Sequence, residues 1–312
     1  ARIGRDRASA AASALLEYTA KRAKAAVASL GRRSGKAVDR LEGDGVTDDD
    51  IQVAVAVSVR RGKLHLDFAG TSPAVRGNVN CPIAVTRAAA VFVLRTLLDD
   101  DVPTNEGIAD AITLDVPVGS AIHAQWPSAV AAGNVEMSQR ITDTIFAALA
   151  NAGVDVPAQG QGTMNNITFG GRGWTFYETL GGGQGAGSRG DAPSGVHVGM
   201  SNTLNTPVES LERAYPIRID EYALRRGSGG AGASRGGDGI VRRYRLIDAS
   251  TVTLLTERRR HAPRGASGGA DGAPGRNLLN GQPIPAKCRM ELGPGDVVTV
   301  ETPGGGGWGK AG

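Results

Sequence analysis

The sequence predicts an α+β fold: an N-terminal helix and β-hairpin with two buried helices, followed by a glycine-rich, mainly β C-terminal half. Three observations carry this prediction. Apolar residues Leu16, Ala20, Ala23, Val27 and Leu30 recur at helical spacing, and Ile51, Val53, Val55, Val57 and Val59 alternate as in a strand. The third is the distribution of glycine. Of the 46 glycines, twelve precede residue 160 and 34 lie at or beyond it, a local share about three times the average usage of about 7%. An excess without a three-residue period, set among Val, Leu and Thr, excludes collagen and points to strands joined by tight turns or closely approaching backbone.

The first element is an amphipathic helix whose Glu17 and Lys21 form an i, i+4 pair on the solvated face. Leu41 to Asp50 reads as an acidic, turn-rich link. Arg61-Gly62 then turns the 51–59 strand back into Leu64, Leu66 and Phe68, giving a hairpin over 51–68 with His65 and Asp67 on its polar outer face. Asn78 to Pro82 offers a cap and an early proline ahead of a buried helix from Ile83 to Leu98. A strand is expected over Ile112–Val118 and a second helix over Asn134–Asn151, with Ile141, Ile145 and Leu149 on its core stripe. Beyond residue 151 come short alternating runs at Trp174–Thr179, Ile240–Leu246, Thr251–Leu255 and Val297–Val300, separated by glycine-rich turns. The expected organisation is a mixed α/β part, 1–151, and a glycine-rich β-rich part, 152–312, of one unit.

The composition excludes several classes. With 312 residues, 40% apolar and 21% charged, the chain can bury a core and is not a disordered tail. Cys81 and Cys288 lack C-x-x-C spacing and read as two reduced thiols, which makes a cytoplasmic protein the expectation. The basic start has no apolar stretch behind it, so no signal peptide is expected, and Arg87 and Arg95 interrupt the most apolar run, which argues against a membrane span. Ten of the 35 Lys/Arg but three of the 31 Asp/Glu fall in residues 1–40. With only 4% aromatic residues and no arginine–aromatic interleaving, this charge reads as a solvated helix face and not a nucleic-acid surface.

Familiar catalytic strings are present but lack their structural context. Gly185 to Gly190 and Gly227 to Gly232 both satisfy G-x-G-x-x-G, yet neither opens a helix within a βαβ unit. Gly265-Ala266-Ser267-Gly268-Gly269 matches the nucleophile-elbow string without a preceding strand or a following helix. No G-x-x-x-x-G-K-[ST] phosphate loop occurs. The histidines, 65, 123, 197 and 261, lack H-x-x-x-H spacing, so no local metal site is expected.

Three polar clusters carry more chemistry. Gly133 to Arg140 places Glu136 and Arg140 four residues apart at a helix start, a spacing that suits a helix cap with an ion pair. Gln161 to Asn166 gathers amides, including Asn165 and Asn166, before an expected strand. His197 sits in Ser194 to Glu209, a run dense in amides and hydroxyls. Such groups suit either orientation of a polar substrate or satisfaction of backbone groups in irregular structure.

Taken in order, GNVEMSQR (133–140), QGTMNNITFGG (161–171), YETLGGGQGAG (177–187), GVHVGMSNTLNTPVE (195–209), RRGSGGAGASRGGDGIVR (225–242) and LLTERRRHAPRGASGGADGAPGRN (254–277) closely resemble the hydantoinase B/oxoprolinase family. LDFAGTSPAVRGNVNCP (66–82) fits the same family, so the resemblance covers nearly the whole chain. It implies the B-type subunit, or half, of an ATP-dependent amidohydrolase acting on hydantoins, 5-oxoproline or lactams. In this arrangement an A-type subunit binds ATP and magnesium and phosphorylates the substrate's amide oxygen, and the B-type part completes hydrolysis. A subunit of a ketone carboxylase of the acetone or acetophenone type, and a non-catalytic assembly subunit, are the alternatives.

The resemblance also implies that family members extend further at the N-terminus and carry a divalent metal there. This chain is thus expected to be the C-terminal portion, either a split subunit whose N-terminal B-type portion is a separate chain or a fragment, to bind no metal or cofactor by itself, and to be inactive alone. A second histidine of the family is replaced here by Gly199. The candidate catalytic residues are His197, Glu136 and Arg140. The candidate substrate-binding residues are Gln139, Asn165, Asn166, Asn202, Asn205, Gly183 and Gly185, the glycines by bringing backbone N–H groups close to a phosphate or oxyanion.

Overall fold

The computed structural model describes residues 4–312. It is an α+β structure built around two apolar cores. Helix α1 (Arg5–Ser29) is followed by β1 (Ser34–Glu42), β2 (Asp50–Arg60) and β3 (Lys63–Asp67), which pair antiparallel, and by β4 (Ile112–Asp115), which joins β3 in parallel. The alternation in β2 buries Ile51, Val53, Val55, Val57 and Val59, which meet Leu64, Leu66 and Phe68 in the first core. Helices α2 (Ile83–Thr96) and α3 (Ser138–Asn151) cover this sheet, α3 through the expected Ile141, Ile145 and Leu149. A π-type turn, Gly133–Met137, leads into α3 where one continuous helix was expected.

Strand β1 departs from expectation. Its segment mixes Lys36, Asp39 and Arg40 among small residues and offers no apolar alternation. It is held instead by nine-residue pairing with β2 and by α3 packing across it. Of the link expected over Leu41–Asp50, Leu41, Glu42 and Asp50 belong to the strands and 43–49 connect them. Helix α1 buries Thr19, Ala20, Ala23 and Val27, whereas Leu16 of the expected stripe is exposed.

The second core lies between two further sheets. One has the order β11-β10-β13-β8-β7 and the other β12-β9-β5-β6. Their strands are β5 (Asn166–Gly171), β6 (Trp174–Glu178), β7 (Ile217–Arg225), β8 (Gly239–Leu246), β9 (Ser250–Leu255), β10 (Arg276–Leu279), β11 (Gln282–Pro283), β12 (Lys287–Leu292) and β13 (Val297–Glu301); the short helix α4 (Val208–Ala214) precedes β7. Ile167, Phe169, Tyr244, Leu254 and Val300 lie at the centre of this core.

The glycine excess has its own architecture. Gly304 to Gly307 runs through the middle of several loops, and its successive N–H groups donate to the carbonyls of Ala273, Gly237, Gln159 and Ala270, in three separate segments. A Cβ on Gly305 would lie 1.9 Å from the Gln184 carbonyl oxygen, and one on Gly183 would lie 2.0 Å from that of Gly237. Backbone packs directly on backbone here, which only glycine permits.

Candidate active site

Between the two cores lies a largely buried charged network. Asp39 on β1 accepts from Arg258 at 2.9 Å, Gln159 at 2.8 Å and Arg140 on α3 at 3.3 Å; Arg140 also reaches Glu257 at 3.4 Å. Arg258 in turn donates to Asp143 at 2.6 Å, and Lys287 pairs with Glu257. Burial opposes the charge on Asp39, but Arg258, Arg140 and Arg264 outweigh it and hold the carboxyl well below its usual range. The Glu42 carboxylate accepts three consecutive backbone N–H bonds, from Arg259, Arg260 and His261, at 2.7–2.8 Å. β1 is thereby fastened to the loop after β9.

Two clefts flank this network. The first, of about 600 Å³, runs along α3, where Gln139, Thr142, Asp143 and Phe146 fall at i, i+3, i+4 and i+7 and so form one stripe. Phe92 of α2 and Leu97 just beyond its end, with Val156 and Pro157, add an apolar wall, and the loop carrying His197, Val198 and Gly199 closes the far side. His197 is half-buried, its Nδ1 sharing a hydrogen bond with Ser201 at 2.5 Å and its Nε2 one with Thr203 at 3.2 Å. Burial lowers its pKa, with Glu178 partly offsetting, so the ring is neutral at neutral pH. The second cleft, of about 680 Å³, is lined by Asn166, Thr168, Tyr177 and Lys287 among others.

Gln139 joins α3 to the histidine loop. Its amide donates to the Val198 carbonyl at 3.2 Å and accepts from the Met200 N–H at 3.3 Å. Gly199 between them has φ +61°, and a Cβ there would lie 2.4 Å from the Gln139 Oε1. A side chain at this position would need left-handed backbone and a shift of the Gln139 amide.

Residues 1–311 match the hydantoinase B/oxoprolinase family. The chain belongs to that family. It is 39% identical over 280 residues to the uncharacterized protein MJ0963 of Methanocaldococcus jannaschii, an overlap of 88% of this chain and 49% of that protein. It is 39% identical over 284 residues to 5-oxoprolinase 1 of Arabidopsis thaliana, covering 89% of this chain and 22% of the enzyme. The fold is shared with the ATP-dependent caprolactamase from Pseudomonas jessenii, with a TM-score of 0.88 at 21% identity, covering 99% of this chain and 57% of that one. Acetone carboxylase shares it with a TM-score of 0.74 at 16% identity, covering 93% and 47% of the two chains. The chain thus spans about half or less of the length of these curated relatives.

The candidate residues do not all converge. Gln139, His197 and Gly185 meet at the α3 cleft. Glu136 and Arg140 are buried at the charged network, and Asn166 joins Glu136 to the second cleft. Arg140 does not form the expected ion pair with Glu136: its guanidinium extends to Asp39 and Glu257. Glu136 accepts instead from Thr163 at 3.0 Å and Asn166 at 2.7 Å. Burial, with the nearby Glu257 carboxylate, raises its pKa to about 8, so it is largely protonated at neutral pH.

The remaining candidates are tied into the scaffold or stand apart. Asn165 donates to Gln161 and accepts from Arg259, and Asn205 donates to the Thr179 carbonyl and accepts from Tyr222. Asn202 is exposed and lines neither of these clefts. The Gly183 N–H donates to the Pro303 carbonyl, which corrects its expected role as a free backbone donor. Gly185 lines the cleft, but its close approach is to the Ala158 carbonyl.

Thr142 and Asp143 are cleft residues that pattern reading missed, because polar positions on a helix read as a solvated face. Among the described residues, no group of three His, Cys, Asp or Glu side chains converges as metal ligands would. The divalent ion implied by the resemblance therefore has no donor set here. No helix among the described residues is long and apolar enough to cross a membrane.

Proposed function

We propose that this chain is a component of an ATP-dependent cyclic-amide hydrolase acting on hydantoins, 5-oxoproline or lactams. An A-type partner with ATP and magnesium phosphorylates the amide oxygen, and the α3 cleft receives the activated species and completes hydrolysis. The observation that carries this reading is the meeting of the polar α3 stripe, the neutral His197 and an apolar wall in one cleft of small-molecule size. Family membership supports the reaction class.

An amide is a poor electrophile, and phosphorylation of its oxygen lowers the barrier to attack by water. Water adds to the activated carbon, the ring C–N bond breaks with proton uptake by nitrogen, and a second water releases phosphate. The products balance as an open-chain acid and inorganic phosphate, with a free amine from a lactam or 5-oxoproline and a carbamoyl nitrogen from a hydantoin. In this reading His197 accepts the proton of the attacking water through Nε2, the nitrogen with the longer contact, and Nδ1 is held by Ser201. Gln139 positions the loop. The divalent metal is assigned to the N-terminal B-type portion, in the same chain or a separate one.

The test is reconstitution with the A-type partner and the N-terminal portion. Amide-dependent ATP turnover with release of the ring-opened product supports the reading. No turnover with any cyclic amide overturns it, and ketone-stimulated turnover that requires bicarbonate assigns the chain to a carboxylase.

A further inference from the structure

A groove of about 710 Å³ opens beside the C-terminal end of α1, where Arg32, Arg33 and Ser34 meet Ser58, Arg60 and Arg61 of the β2–β3 hairpin. It shares no residue with either cleft. Four arginines line it, with no carboxylate and no aromatic ring, and Lys63 stands opposite Arg60 in the hairpin register. We infer that this groove binds the phosphate chain of a small oligophosphate, at a site independent of the proposed hydrolysis.

Ordinary structural duties do not account for these arginines. Basic residues at a helix C-terminus often hold its free carbonyls. Here the Ser29 hydroxyl donates to the Ala26 carbonyl at 2.7 Å, the Leu30 and Gly31 N–H groups donate to those of Val27 and Ala28, and Arg33 donates to that of Leu30 at 2.8 Å. Arg33 is also fixed to the Gly153 carbonyl at 2.8 Å. The side chains of Arg32, Arg60 and Arg61 are exposed and have no hydrogen-bond or carboxylate partner among the described residues. Earlier cations of α1 are answered, Arg22 by Asp99 and Asp101 and Lys24 by Asp110, so the unopposed charge is concentrated in the groove. Arg61 has φ +50° and Gly62 φ +70°, a two-residue turn whose first position favours Asn, Asp or Gly. An arginine there holds left-handed backbone at an energetic cost.

The chemistry of the lining selects the ligand. Guanidinium forks match the paired oxygens of phosphate, and several around one groove answer several phosphates at once. Ser34 and Ser58, at paired positions of β1 and β2, add hydroxyl donors. A docked protein segment needs an apolar anchor, and a nucleic acid needs stacking rings or a longer track of free cations. The groove offers none of these, and without a ring to stack a base it reads the phosphate chain alone.

Calorimetric titration of the full assembly with inorganic tripolyphosphate at physiological ionic strength tests this. Sites numbering one per chain are expected to bind tripolyphosphate at least about tenfold more tightly than orthophosphate, and to be lost in Arg32→Gln/Arg60→Gln with an unchanged Tm. The nucleotide site expected on the A-type partner is the same in both assemblies, so their difference isolates the groove. Arg61→Gly should weaken binding about three- to tenfold without lowering Tm, because glycine accepts the left-handed turn. Arg5→Gln/Arg7→Gln removes the same charge elsewhere on α1 and should leave binding intact. Equal binding by the wild type and Arg32→Gln/Arg60→Gln, or an equal loss in Arg5→Gln/Arg7→Gln, overturns the inference. Binding of a hexaglutamate peptide as tight as that of tripolyphosphate also overturns it and reassigns the groove to an acidic segment. The cyclic-amide reading is decided by turnover and stands or falls apart from these results.

Discussion

Glu136 is buried with one carboxylate oxygen held by Thr163 and Asn166 and the other without a partner. With its folded pKa raised to about 8 and an unfolded value near 4.5, the folded state binds more protons than the unfolded one between these limits. Stability contributed by this group is therefore present below about pH 4.5 and falls as pH rises toward about 8, by up to about 1.4 kcal/mol per pH unit. Glu136→Gln removes that slope, and chemical denaturation across pH 5–8 checks it; an unchanged slope contradicts the assignment. Asp39 acts in the opposite sense. Its depressed pKa supplies stability present above about pH 4 and lost as pH falls further. Asp39→Asn leaves Arg140 and Arg258 without their shared carboxylate and is expected to cost at least about 3 kcal/mol at pH 7, measured by the shift in denaturation midpoint.

At the scale of elements, the strands of the first sheet were legible where burial imposes a period: β2 and β3 follow the valine alternation. β1 was not, because its side chains serve a charged network whose partners, Arg140, Glu257 and Arg258, lie more than 100 residues away in sequence. The glycine loops were legible as places of close approach, but what they approach is other backbone. Gly305→Ala is expected to prevent folding or cost several kcal/mol, since its Cβ would overlap the Gln184 carbonyl. Gly170→Ala, whose Cβ would meet nothing within 4 Å, is expected to change stability by less than about 1 kcal/mol. Thermal melting of the two variants checks the contrast; equal effects would contradict the packed-glycine account.

Over the whole molecule, the family was legible because its motifs are dense and ordered, and those motifs prove to be largely the scaffold. GNVEMSQR supplies the π turn and the start of α3, and LLTERRRH supplies the buried charges. Sequence order alone could not separate cleft residues such as Gln139 from network residues such as Arg140, because adjacent positions on one helix point to different sides. The two clefts on either side of that network share one rigid support, with Asp143 lining one and Lys287 the other. Functional weight is assigned here to the α3 cleft. The most direct test is kcat/KM of the reconstituted assembly carrying His197→Gln. A fall of about 100-fold or more with an unchanged Tm is predicted, in keeping with the loss of a general base; wild-type turnover in that variant would contradict the account.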